Sequence, residues 1–211
     1  MAFARAGRLP VGNITLKASP PGARASEGPA IAGTCSGAVV VCGGAACLWD
    51  DLARLKGATF DVMAVNLAGV FLPKIPRHWV SLHAELFQWM LPLRAGELVW
   101  AGDCVRVGDG CETHSIRSAP GVRHVWPFDT RGSSGLLAAR IAVALGYASV
   151  ILAGMPLDDS RHFYDSPDAP RLNYAHRYLD PWRIEARGWG GRVRSMSGAT
   201  RELLGGPDGH L

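Results

Sequence analysis

Ser133, Ser134 and Gly135 follow Arg131 and Gly132 and directly precede an apolar series at Leu137, Ile141, Ala144 and Leu145. That i, i+4, i+7, i+8 spacing predicts a helix laid on a sheet. The two hydroxyls and the unbonded backbone N–H groups then stand at a helix N-terminus, where orphan donors and the backbone dipole favour phosphate. Arg131 strengthens the phosphate reading, because a guanidinium fork matches phosphate oxygens. Capping of the helix by either serine is the simpler alternative. A second candidate is Gly43-Gly44-Ala45, directly after the apolar run 37–42. It is short of G-x-G-x-x-G, so it predicts either a close backbone approach to phosphate or an ordinary strand-to-helix turn. Asn66 closes the next apolar run, as a partner for a base or ribose or as a turn residue.

A third cluster lies in the polar segment 157–180, which holds His162, Tyr164, Tyr174, His176 and Tyr178. A long irregular segment of this kind in a compact domain suits a functional loop or lid. Tyrosine hydroxyls can donate to a departing phosphate, and a histidine can take a proton from an attacking hydroxyl at neutral pH. His83, Glu85 and His114 are further polar candidates with no fixed relation to one another. No G-x-x-x-x-G-K-[ST], H-E-x-x-H or nucleophile elbow is present, so P-loop, zincin and serine-hydrolase chemistry lack their local signatures.

Elements must bring these groups together. Apolar runs predict strands at 37–42, 60–65, 79–82, 97–101, 124–128, 150–153 and 193–196. Helices are expected from near Cys47, from Ser133 to Gly146 and from Pro181, with a short last one through Leu204 after Ser197-Gly198-Ala199-Thr200. Gly154-Met155-Pro156 breaks a central parallel strand at its carboxyl end, where ligands gather in open α/β sheets. The expected fold is a single α/β Rossmann-like domain over 34–211, with a mostly parallel sheet, helices on both faces and a flexible segment at 1–33.

With 211 residues, 48% hydrophobic and 19% charged, one substantial core is expected. The formal charge of +4 suits an anionic small molecule. Nucleic acid is less favoured, since no basic block with interleaved aromatics occurs. Cys35, Cys42, Cys47, Cys104 and Cys111 make an odd count without a C-x-x-C pair, which favours reduced thiols and a cytoplasmic setting. A zinc site from Asp103, Cys104, Cys111 and His114 would have an unfamiliar spacing. No apolar run reaches the roughly 20 residues of a membrane span.

The strand-to-helix opening GGAACL, the strand end AVN, the helix start RGSSG, the run ALGYASVILAGMPL and the segment YAHR together resemble a known family over roughly residues 37–200. It is that of the Rossmann-like bacterial sialyltransferases that use CMP-sialic acid. Its wider relatives are motility accessory factor and hydroxymethylpterin pyrophosphokinase-like proteins, several carried by phages. The resemblance implies a metal-independent glycosyltransferase that needs no cofactor, with a CMP- or UDP-linked sugar as donor and a glycan or other hydroxyl as acceptor. It implies that Gly43, Asn66 and Ser134 hold the nucleotide, with Gly44, Ser133 and Gly135 beside them. It implies Tyr164 and Arg131 at the leaving phosphate and His176 as general base, with Tyr174 and His83 nearby. The turn departs from the family's G-x-G-P-S-L. Two rivals follow: a Mg-dependent diphosphotransferase drawing on Asp103, Asp158 or Asp159, and a catalytically silent nucleotide-binding or phage-associated protein.

Overall fold

Val39, Val40 and Val41 are consecutive and leave no polar face, so a strand made from them must be covered on both sides. In a computed structural model, which describes residues 29–100, 111–129, 131–171 and 175–207, strand β1 (Ala38–Cys42) is the centre of one sheet. Strands β2 (Asp61–Val65), β3 (His78–Val80), β4 (Glu112–Ser115) and β5 (His124–Val125) extend it one way, and β6 (Ser149–Ala153) and β7 (Val193–Ser195) the other. The order is β5-β4-β3-β2-β1-β6-β7 and every pairing is parallel. The chain therefore walks outward from β1 to β5 and then returns to β1's other side. The crevice between β1 and β6 is the topological switch point, where such sheets bind ligands. The fold is α/β and Rossmann-like.

Helices cover both faces. Helix α4 (Ser134–Leu145) packs Leu137, Ile141 and Leu145 onto Val39, Val41, Met63 and Val65. Gly146 closes it at φ 98°, a left-handed position that suits glycine. On the opposite face Leu48 of α1 (Leu48–Arg54) and Phe87 and Met90 of α3 (Phe87–Trp100) meet Val40, Ala64, Trp79 and Ile151. Helices α2 (Ala68–Phe71), α5 (Leu179–Ala186) and α6 (Gly198–Leu204) complete the layers.

Two expectations change. The predicted strand over 97–101 is instead the last turn of α3 as far as Trp100, because the helix begun at Phe87 continues through the weakly β-forming stretch Arg94–Glu97. Ala101 lies outside the described residues. In the other direction, β4 is made from Glu112-Thr113-His114-Ser115, which has no apolar signal but is buried from Thr113 onward. Of the N-terminal segment 1–33, residues 1–28 lie outside the described residues, while Gly33 N–H bonds to the α4 carbonyl of Ala144. No helix among the described residues is long and apolar enough to cross a membrane.

The polar residues of β3 and β4 are buried because they satisfy one another. Trp126 Nε1–H donates to His114 Nδ1 at 3.0 Å, which leaves the proton of neutral His114 on Nε2. His114 Nε2 lies 3.0 Å from His78 Nδ1, His78 Nε2 lies 3.0 Å from the Tyr147 hydroxyl, and Tyr147 donates to Asp61 at 2.6 Å. The donors thus run one way, from indole to carboxylate. Both ring nitrogens of His114 are engaged in this row, and Asp103 and Cys104 of the alternative zinc site lie outside the described residues.

Burial, aided by Arg77, lowers His78 to about 4. Burial and the neighbouring His78 hold His114 well below its ordinary value. Around the pair stand Arg77, Asp61, Glu112 and His124. Below the ordinary histidine value of 6.5 the unfolded chain takes up protons that the folded chain refuses. The pair's contribution to stability is therefore full above that pH and falls as the pH drops toward 4, by up to about 1.4 kcal/mol per unit for each histidine. Urea unfolding at pH 7.5 and 5.5 should show a loss of about 1–3 kcal/mol, and equal stabilities at the two values would contradict the neutral pair.

Candidate active site

The glycine turn is shaped by the crevice it enters. A Cβ on Gly43 would stand 2.2 Å from Met155 Cγ and 2.4 Å from the Gly154 carbonyl oxygen, so only glycine lets β1 and β6 end this close together. The turn is bonded into its surroundings: Gly43 N–H donates to Ala153, Ala45 N–H to Gly154 and Ala46 N–H to Arg161. A phosphate cradle from the whole turn is thereby reduced to the N–H of Gly44.

The polar segment folds back on this turn through an antiparallel bridge between Ala45 and His162 and a bond from Phe163 N–H to the Gly44 carbonyl. A Cβ on Gly44 would meet His162 Cδ2 at 2.8 Å and the Tyr164 hydroxyl at 2.8 Å, so glycine here admits both side chains. The rings of His162 and Tyr164 stack at 4.9 Å. Asp165 accepts from the His162 backbone N–H at 2.9 Å and pairs with its Nδ1 at 3.1 Å, which turns Nε2 into the accepting nitrogen. The sequence signal was present in His-Phe-Tyr-Asp, but only the fold shows that the pair lines the cavity.

Asn66 leaves β2 at φ 49°, a conformation asparagine tolerates better than most side chains. Its backbone is held on both sides, by Val80 O accepting from its N–H and by Trp79 Nε1–H donating to its carbonyl at 2.7 Å. Its side-chain Oδ1 is buried without a partner. Ser133 is the α4 N-cap and accepts from Leu136 N–H at 3.1 Å, and Ser134 Oγ accepts from Leu82 N–H. Both serines thus have structural duties, and both line the crevice together with Gly135.

These groups border one cavity of about 740 Å³ at the carboxyl ends of the strands. Gly43, Gly44, Asn66, Ser133, Ser134, Gly135, Arg131, Tyr164 and His83 all line it. Sequence reasoning did not assign Gly154, Arg177 or Trp182, which line it too; nothing in the polar run 175–186 singles out a cavity-facing tryptophan. A second crevice of about 540 Å³ adjoins it and shares His83, Arg131, Gly132 and Tyr178. Tyr174 lies outside the described residues, as does the side chain of His176, whose backbone sits in the 3-10 turn Ala175–Tyr178. Asp158 borders the main cavity, Asp159 a separate surface recess, and Glu85 the second crevice. Among the described residues no three His, Cys, Asp or Glu side chains converge as a metal cluster. Cys35, Cys42, Cys47 and Cys111 are unbridged thiols, and burial pushes those of Cys42 and Cys111 up to about 12.

No protein-family model and no curated protein matches the chain. Among solved structures, the sialyltransferase CstII from Campylobacter jejuni, in complex with the substrate analogue cytidine-5'-monophosphate, is similar over 80% of this chain and 84% of its own, with a TM-score of 0.54 and 13% identity. That likeness is one of fold. The MAf glycosyltransferase from Magnetospirillum magneticum AMB-1 is similar over 81% of this chain and 35% of its own, with a TM-score of 0.49 and 17% identity.

Proposed function

We propose that this protein transfers a sugar from a nucleotide donor to a hydroxyl-bearing acceptor, without a divalent metal. The observation that carries the reading is the pair of adjoining cavities with a shared wall at His83, Arg131, Gly132 and Tyr178. A transferase needs two substrates to meet at one wall, and the carboxyl ends of parallel strands are where such sheets place a nucleotide. Asn66 Oδ1 would accept from the base or ribose. Arg131 and the Tyr164 hydroxyl would steady the leaving phosphate, the task a metal ion performs elsewhere. The acceptor hydroxyl attacks the anomeric carbon, the bond from that carbon to the phosphate oxygen breaks, and the nucleotide departs with the electron pair. The hydroxyl proton passes to a histidine, His176 by the family resemblance.

Melting of the purified protein with CMP, UMP, UDP, GDP and ATP, each with and without Mg²⁺, tests the donor. CMP or UDP at about a hundred times its Kd should add about 2.7 kcal/mol without metal, a rise of about 5–10 °C for a domain of this size. Stabilisation by ATP alone and only with Mg²⁺ would replace this reading with phosphoryl transfer. No response to any nucleotide would leave the fold as a binding scaffold of another kind.

A further inference from the structure

Trp79 and Trp126 show how this protein treats a buried indole: each N–H donates, to the Asn66 carbonyl and to His114 Nδ1 respectively. Trp182 breaks that pattern. It is 1% exposed, it lines the main cavity, and its Nε1 has no hydrogen-bond partner. Leaving a buried donor unmade is unfavourable, and the edge-on contact with Trp189 needs an aromatic ring but not an indole N–H.

The place of the indole says what it awaits. Its Cζ2, on the ring edge next to Nε1, comes 3.6 Å from where a Gly135 Cβ would stand. Gly135 is in the first turn of α4, a 12-residue helix whose leading N–H groups have no acceptor within the helix. The Ser133 hydroxyl oxygen is already taken by Leu136 N–H. A buried side-chain donor and the start of α4 therefore line the same cavity, and both demand an acceptor, best an anionic one.

We propose that Trp182 Nε1–H donates to an oxyanion of the ligand held at the start of α4. The inference rests on the nucleotide-donor reading only for the ligand's identity, since an oxyanion could equally be the phosphate of the nucleotide or the carboxylate of a sialic acid. It also sets the ligand's direction: the oxyanion at α4, and the groups that donate hydrogen bonds toward Asn66 Oδ1.

The test compares the wild-type protein with Trp182→Phe by calorimetric titration with CMP, cytidine, N-acetylneuraminate and inorganic pyrophosphate. Loss of a hydrogen bond to a charged oxygen should weaken binding of an oxyanion probe about ten-fold or more and leave cytidine unchanged. Weakened CMP and pyrophosphate would name phosphate as the source, and weakened N-acetylneuraminate alone would name the carboxylate. Pyrophosphate binding that depends on Trp182 in a protein deaf to every nucleotide would sink the nucleotide reading and keep this one. As an independent readout, the indole ¹⁵N–H resonance missing from Trp182→Phe should shift in the wild-type protein when the oxyanion binds. Equal affinities in both proteins, no binding of any probe, or an unmoved indole resonance at saturation would overturn the proposal.

Discussion

Asp51→Ala should lower the unfolding free energy by about 3 kcal/mol and the melting midpoint by roughly 10 °C. Asp51 is 1% exposed and stands on α1, yet two of its bonds leave that helix. Its Oδ2 accepts from Gly154 N–H at 2.9 Å and from the Ser197 hydroxyl at 2.9 Å, while Oδ1 pairs with Arg54. One carboxylate thus ties α1 to the end of β6 and to the residue that opens α6. Removing it strands a buried backbone donor and a hydroxyl, each at about 1–3 kcal/mol, whereas the Arg54 side chain is half exposed and contributes less. The conservative variant Asp51→Asn keeps an acceptor oxygen at this position and should cost about half as much. Because the Gly154 carbonyl abuts Gly43, loosening this knot should weaken ligand binding as well. Urea melts decide it: a loss under about 1 kcal/mol in Asp51→Ala would mean that the strand ends hold themselves.

If the protein is the sugar transferase proposed above, replacing the histidine that receives the acceptor's proton should cut turnover by about 10²–10⁴-fold while leaving donor affinity nearly intact. Two residues compete for the part. His176 holds it by resemblance, and His162 has a physical claim of its own, since Asp165 fixes its tautomer and its Cδ2 edge faces Gly44 within the cavity. Single alanine variants at 162 and 176, assayed for sugar release from the donor found by melting, should differ sharply. The base must be neutral to act, so the wild-type rate rises with pH through its pKa, and that acid limb should vanish in only one variant. If His162 is the base, Asp165→Asn should depress the rate too; if it is His176, Asp165→Asn should be nearly silent. Less than a ten-fold loss in both alanine variants would remove histidine from the proton's path.

The parts of this fold that announce themselves are those where one physical demand dominates. Val39–Val41 and Val150–Ala153 are apolar on both faces and can only be central strands, and Gly146 and Ser133 bound α4 as their types require. Strand β4 was silent because its burial depends on pairing: Thr113 bonds to the Gly121 carbonyl, and His114 to Trp126 and His78, none of them a neighbour in sequence. The stretch 97–100 misled for the opposite reason, since a short apolar run cannot reveal that a helix is already under way. At the site, Gly43, Asn66 and the start of α4 could be named because strand ends and helix starts are punctuated by special residues. Trp182 could not, for what distinguishes it is a missing partner.

The one-way row from Trp126 through His114, His78 and Tyr147 to Asp61 gives each interior member one neighbour to receive from and one to give to. Such a row has no tolerant position. A change at His78 strands His114 on β4 and Tyr147 ahead of β6, so relatives of this protein should keep the row whole or replace it together, as one inherited word rather than as separate letters. The loops around the crevice carry no such obligation. The molecule can therefore drift toward new substrates at one end of its sheet while the other end holds its lineage fixed.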